Sequence, residues 1–237
     1  MGPLAIAVVL LLAGADVETL AQGEHLLFDA SDDRATYDAA MRKFDAVIAA
    51  GDAPAVAWAR KAETSLRLGD LATTAPAKLA LYEKGQAFAD DGIARDARCG
   101  DCWFWRGANL GRFGETRGVL NSLFGLNDVR NAFAKALEID PKNDDAVLSL
   151  AIVDQKVPGF AGGDIKRAES TMRRVLKASP GFTRAMLDLA ELLWERGEND
   201  EARRWAQKAI DEKNPLHAGS RRKFDLKRAR SLLAAWQ

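Results

Sequence analysis

Four times along this chain a position in one apolar-periodic stretch is followed 22 residues later by a Gly or an Ala. Ala40 precedes Ala62, Gly85 precedes Gly107, Val129 precedes Ala151 and Ala168 precedes Ala190. An offset of that size holds the rest of one helix, a tight turn and the start of the next. Small residues recur where helix backbones must cross closely, since a larger side chain would hold them apart. Large apolar residues beside them fill the space that remains. A chain with this period stacks helical hairpins, and such a stack builds surfaces and grooves for partners.

The residues around each anchor extend the pattern. First helices carry Trp58/Lys61/Ala62/Ser65, Trp103/Arg106/Gly107/Leu110, Val147/Leu150/Ala151/Asp154 and Met186/Leu189/Ala190/Leu193. Second helices carry Ala40/Phe44, Gly85/Ala89, Val129/Phe133, Ala168/Met172 and Ala202/Ala206, and prolines follow at Pro141, Pro180 and Pro215. This arrangement resembles the tetratricopeptide repeat, whose unit reads W-x2-L-G-x2-Y, then A-x3-F, then P. The fold expected is an all-α solenoid of tetratricopeptide-like helical hairpins with a C-terminal capping helix. The spacing within a unit is 12 residues from Ala190 to Ala202, but 17 from Ala151 to Ala168, 22 from Gly107 to Val129 and 23 from Ala62 to Gly85. The extra residues are expected in the turns inside the hairpins, on one edge of the stack, where repeat proteins often carry their binding face.

Composition fits this reading. The 237 residues are 48% hydrophobic and carry a formal net charge of zero. Neutrality argues against a nucleic-acid-binding role and against electrostatic attachment to a membrane surface. No run of alternating β-branched residues suggests a strand. Pro3 to Gly14 is an unbroken apolar run, too short to span a bilayer but suited to the core of a signal peptide. Ala13 and Ala15 fit a cleavage site before Asp16. The expected organisation is a signal peptide over 1–15 and one repeat domain over 16–237, in an exported, periplasmic protein. No Cys follows the run, as a bacterial lipid anchor would require.

Helical periodicity and breakers predict helices over 17–29, 34–49, 55–68, 76–94, 103–111, 129–139, 144–155, 165–177, 182–196, 199–211 and 220–236. Ser31-Asp32-Asp33 reads as a break and N-cap, and Asp164 as the cap of the helix that starts at Ile165. Glu115 to Leu126 has the spacing of a short extra helix. Leu137-Glu138-Ile139-Asp140-Pro141 looks like the end of a tetratricopeptide unit. The segment Val157-Pro158-Gly159-Phe160-Ala161-Gly162-Gly163-Asp164, followed by Ala168 and Pro180, resembles the T component of TRAP transporters over roughly Ala21 to Pro215. That resemblance implies an auxiliary periplasmic protein that partners an extracytoplasmic solute-binding receptor or a small apolar ligand. A general envelope scaffold is the alternative, and the repeat leaves homo-oligomer formation open.

Candidate functional residues follow from the hairpin frame. Phe104, Arg112, Leu148, Ile152, Arg184, Leu187, Glu191 and Trp194 are placed along a groove formed by successive first helices. The basic run Arg221-Arg222-Lys223, with Lys227, Arg228 and Arg230, opposes an apolar stripe of Leu226, Ala229, Leu233 and Trp236, as on a solvated cap. Cys99-x2-Cys102 is the sole candidate for chemistry. In an exported chain it reads as a structural disulfide, with free thiols, a redox pair or a metal site as the other readings. A thioredoxin-like enzyme needs a strand before the motif. Zinc needs two more ligands, and His25 and His217 are remote in sequence. Gly159 to Asp164 lacks the Gly-Lys-Ser/Thr ending of a phosphate loop. No catalytic set, metal site or cofactor is expected, and the chain is read as non-enzymatic.

Overall fold

A computed structural model describes residues 17–51, 53–118 and 125–237. The described chain is all-α: α1 (17–28), α2 (Arg34–Ala49), α3 (Val56–Leu71), α4 (Ala75–Arg95), α5 (Gly100–Arg117), α6 (Leu126–Ile139), α7 (Asp144–Lys156), α8 (Ile165–Ala178), α9 (Thr183–Glu195) and α10 (Asn199–Asp211). The last helix, α11, runs through Ala218–Ser220, a π-helical turn at Arg221–Asp225, and Leu226–Ala235. Odd-numbered helices up to α9 are the first members of hairpins, and even-numbered ones are their partners. Residues 1–15, expected from the sequence to be a signal peptide, lie outside the described residues.

Helix starts follow local chemistry. The Asp33 carboxylate accepts from the Thr36 amide at 2.8 Å, and the Asn143 carboxamide accepts from Ala146 at 2.8 Å. Thr74 accepts from Ala77 just ahead of Pro76, which suits the first turn because it lacks an amide donor. Asp164 accepts from the Arg167 amide at 2.9 Å, as its position in sequence predicts. Asp164→Ala should lower stability by about 1 kcal/mol, read as an earlier thermal transition by circular dichroism.

The helices gather into two compact units divided between Ile139 and Asp140. In the first, Leu27, Tyr37, Ala40, Phe44 and Leu68 form one cluster. Ala55, Ala59 and Cys102 form another in the seam between helices. The period's small residues do what they are expected to do: Ala40, Ala62, Ala168, Ala190, Ala202 and Ala206 are fully buried. In the second unit, Met172, Met186, Leu189 and Leu193 pack around Ala190, Ala202 and Ala206, with Ala229 and Trp236 closing the cluster from α11.

The extra residues within hairpins do not all lie in turns. Between α3 and α4 only Ala72 to Thr74 is non-helical, and the surplus lengthens the two helices to 16 and 21 residues. Helix continues through Gly69, past the end predicted at Leu68, because Gly69 is buried against the Tyr82 ring of α4, where a Cβ would come within 2.4 Å. In the next hairpin α5 itself extends through Glu115–Arg117. Residues 119–124, half of the expected extra helix, lie outside the described residues. In the α7–α8 hairpin the surplus does form the turn. Val157 to Asp164 contains a single 3-10 turn at Gly159–Ala161. The Asp164 amide donates to the Asp154 carbonyl at 2.8 Å, and Arg167 grips the Asp154 carboxylate through two nitrogens at 2.6 and 2.8 Å. Gly163 is required by this closure, since a Cβ there would stand 1.7 Å from the Val157 carbonyl oxygen.

The basic face of α11 is not uniformly solvated. Arg222, Lys227 and Arg230 are exposed. Arg221, by contrast, donates to the Ala209 and Ile210 carbonyls at the end of α10, which satisfies orphan acceptors of that helix. Arg228 turns back onto α9, because two acidic residues await it there.

Candidate functional site

On a helix, steps of three or four residues stay on one face. Counted from the small anchors, positions six before, two before, one after and five after share such a face. On α3 these are Val56, Arg60, Glu63 and Arg67, and on α5 they are Asp101, Trp105, Ala108 and Arg112. On α7 they are Asp145, Ser149, Ile152 and Lys156, and on α9 Arg184, Asp188, Glu191 and Glu195. Within each unit, this charged face is where first helices of neighbouring hairpins meet.

In the first unit Arg60 is the hub. Its guanidinium donates to Glu24 of α1 at 2.8 Å and to Asp101 of α5 at 3.1 Å, so it ties three first helices together. Its guanidinium carbon also lies 5.3 Å from the centre of the Phe28 ring. Glu63, with a side chain only 4% exposed, receives Arg67 at 3.1 Å and faces Arg60 at 3.8 Å. Burial pushes the Glu63 carboxyl above its ordinary range, and the two guanidinium groups pull it part of the way back. Arg67 then lies 5.7 Å over the Trp105 ring. Further along, Arg112 is half exposed between Asp70 at 3.5 Å and Glu115 at 3.2 Å.

The second unit repeats the logic with different residues. Arg184 of α9 reaches Asp145 of α7 at 3.2 Å and its own helix's Asp188 at 3.8 Å. Arg228 of α11 donates to Asp188 at 2.6 Å and to Glu191 at 3.0 Å. Lys156 and Gln155 of α7 both donate to Glu195 of α9. His217 lies 3.2 Å from Asp145 and edge-on to Phe182. The Asp145 hydrogen bond raises the His217 pKa above its ordinary 6.5, against the opposing effect of burial. Protonation therefore favours the folded form. That contribution is complete below about pH 6.5 and is lost as pH rises through the higher folded value. The melting temperature should fall slightly between pH 6 and pH 8, and His217→Gln should flatten that slope.

The eight groove residues read from the sequence separate cleanly. Arg112, Ile152, Arg184 and Glu191 lie on the shared face. Phe104, Leu148 and Leu187 do not line a groove: they are buried at 6%, 0% and 0% exposure. Each stands one residue before the facing position, and one residue turns a helix by about 100°. Phe104 instead packs against Phe133 of α6 with ring centres 5.7 Å apart. Trp194 is stacked on Trp236 of α11, 4.7 Å between centres, so the terminal helix covers it. Phe104 and Arg112 belong to the first unit, and the other six to the second. The sequence reading missed Arg60, Glu63, Arg67, Trp105 and Asp188. The signal for them was present: charged residues recur at the facing offsets of successive first helices.

Cys99 and Cys102 are joined by a disulfide at the start of α5. Cys99 is half-buried and Cys102 fully buried. No group of three or more His, Cys, Asp or Glu side chains able to hold a metal ion occurs among the described residues. No described helix is long and apolar enough to cross a membrane.

Comparison with known proteins agrees with this geometry. A tetratricopeptide repeat family model matches residues 160–218, the stretch holding the most regular hairpin. No curated protein matches the sequence. Among solved structures, the thermophilic TPR protein TTC0263 of Thermus thermophilus is similar with a TM-score of 0.70 at 19% identity, over 93% of this chain and 98% of its own. PilF of Pseudomonas aeruginosa is similar with a TM-score of 0.52 at 14% identity, over 95% of this chain and 90% of its own. With the small-residue period, the paired first and second helices and the matched repeat at 160–218, the chain has the fold of tetratricopeptide-repeat proteins.

Proposed function

We propose that this protein is a non-catalytic scaffold for protein–protein interaction. The observation that carries the reading is that within each unit the first helices set cations and acids side by side on rigid elements, with Trp105 among them in the first unit. A face with both charge signs suits a polypeptide partner better than a nucleic acid or an apolar solute. Arg112 on the first unit's face, and Lys156, Arg184 and Glu195 on the second's, with side chains 49%, 51%, 39% and 53% exposed, are open to a partner. Exported location belongs to the same proposal, supported by the apolar run at Pro3 to Gly14 and by a disulfide that an oxidising compartment would preserve. The TRAP transporter role is not supported by the comparisons, and it enters here as the narrower form of the scaffold reading.

The test is a pull-down of tagged full-length protein from the envelope fraction of its host, quantified by mass spectrometry beside Arg112→Glu and Arg184→Glu. A partner retained by the wild type and lost from a variant with an unchanged melting curve is the expected result. A solute-binding receptor in that position would establish the transporter form, and an envelope-assembly protein the general one. Equal recovery of every partner by wild type and variants would overturn the proposed face. Finding the protein in the cytosol alone would overturn the export reading.

A further inference from the structure

We propose that Cys99 and Cys102 form a thiol–disulfide exchange site, in which Cys99 is the sulfur a reducing dithiol attacks and Cys102 is the resolving thiol. This does not rest on the scaffold reading. The bond makes a poor staple. It spans a sequence separation of three, inside the first turn of α5, and so ties together residues that the helix already holds. Loop-closure stabilisation grows with the length of chain enclosed and is small for such a short link. Nothing beyond that turn is joined by it.

What the pair does have is asymmetry. Cys102 is 0% exposed and sits in the seam of α3, α4 and α5. Ala59 packs beside it, a Cβ on Gly92 would come 2.6 Å from its sulfur, and the Ala55 carbonyl oxygen is 3.4 Å away. No reagent thiolate reaches that sulfur in the folded chain. Cys99 is half-buried at the N-cap and accepts the Cys102 amide at 3.2 Å. That amide and the N-terminus of an 18-residue helix stay in place to favour a thiolate on Cys99 once the bond opens. The Ala55 carbonyl stands ready to accept from Cys102 as a thiol. The neighbouring Asp101 carboxylate, which would oppose a second negative charge, is engaged by Arg60 at 3.1 Å.

The exchange balances as follows. A thiolate of the dithiol forms a bond to the Cys99 sulfur, the Cys99–Cys102 bond breaks, and its electron pair leaves on Cys102, which takes up a proton. The second thiolate of the dithiol then attacks its own sulfur in the mixed disulfide and releases Cys99 as a thiolate. The dithiol is oxidised to a disulfide and the protein pair is reduced, two electrons having passed between them. The reverse sequence reduces a disulfide. The Cys99 thiolate attacks it and one partner thiolate leaves. Cys102, giving up its proton, then attacks the Cys99 sulfur of the mixed disulfide, releases the second partner thiolate and restores the Cys99–Cys102 bond.

The experiment uses oxidised, folded full-length protein with two probes, glutathione and a purified protein bearing a reactive Cys-x-x-Cys dithiol. Alkylation and mass spectrometry identify the free and mixed sulfurs. Cys102→Ala replaces a buried sulfur with a smaller apolar group, and Cys99→Ser keeps a cap acceptor. Reduced glutathione should open the bond without loss of the helical circular-dichroism signal. Offered each probe in its oxidised, disulfide form, Cys102→Ala should trap a mixed disulfide at Cys99 with release of one probe thiolate, at a rate at least about tenfold above that at Cys102 in Cys99→Ser. Trapping by the dithiol protein assigns a protein as the source of the thiol. Trapping by glutathione alone assigns a small thiol and leaves the exchange site standing. In reduced wild type, first alkylation at Cys99 is a readout free of any substitution. A bond that opens only after denaturation, or equal labelling of both cysteines in the folded chain, would overturn the proposal.

Discussion

Arg228→Ala should cost about 3 kcal/mol of stability, because it removes one side of a buried ion pair and leaves the other behind. Arg228 lies two-thirds out of solvent on α11 and meets Asp188 at 2.6 Å and Glu191 at 2.9 Å. Burial works against its charge, but Asp188 and Glu191 outweigh that and hold the guanidinium above its ordinary pKa. Asp188 is only 6% exposed. Without Arg228 it faces Arg184 alone, at 3.8 Å, beside the buried Asp225. The exposed third of Arg228 places the expected loss at the low end of the range for buried pairs. Urea denaturation followed by circular dichroism measures it. Arg228→Lys keeps the charge but not the two-nitrogen fork, so its loss should be intermediate. Asp188→Asn should restore part of the stability in the Arg228→Ala background while costing stability by itself. Equal denaturation midpoints for wild type and Arg228→Ala would show that α11 is not held by this pair.

Gly85→Ala, a single added methyl, should also cost about 3 kcal/mol, the upper end for overpacking. A Cβ there would stand 2.1 Å from Oδ1 and 2.4 Å from Cγ of Asn109. Asn109 has nowhere to retreat. It is 0% exposed, and its Nδ2 donates to the Ala62 carbonyl at 3.1 Å and the Trp105 carbonyl at 2.8 Å. The bond to Ala62 ties α5 to α3, the bond to Trp105 fixes the side chain along its own helix, and α4 presses from the other side. The substitution improves helix propensity, so any loss reports the crossing and not the helix. In an Asn109→Ala background the cost of Gly85→Ala should shrink to within about 1 kcal/mol of zero, since the obstructing side chain is gone. A Gly85→Ala protein that melts with the wild type would mean that α4 and α5 do not cross at this residue.

How far the sequence spoke can be judged from these residues. Gly85 was already visible as an anchor 22 residues before Gly107, because close crossings leave a mark in residue size. Caps at Asp33 and Asp164 were equally plain, being local hydrogen bonds between near neighbours. Asn109 was not legible: nothing in a lone Asn says that two helices share it. The facing side of the first helices was placed one residue off at Phe104, Leu148 and Leu187. Periodicity gives the width of an apolar stripe, but not which edge of it meets the neighbouring hairpin. The surplus residues after Ala62 were assigned to a turn because a repeat template sets an expected helix length. The chain kept helix going to Leu71 instead, through Gly69, whose missing side chain makes room for the Tyr82 ring of α4.

The ion pairs between first helices also act as addresses. Arg60 finds an acid on each side, Glu24 from the helix before and Asp101 from the helix after. Arg184 finds Asp145 behind it, and Asp188 finds Arg228 ahead. Apolar hairpins of one period could stack in many orders at nearly equal cost. A hairpin shifted by one place within its unit would instead part Arg60 from Glu24 and Asp101, or bury Asp188 without Arg228. The order of the repeats in space is thereby fixed to their order in the chain by charge, while size and shape fix only that they stack.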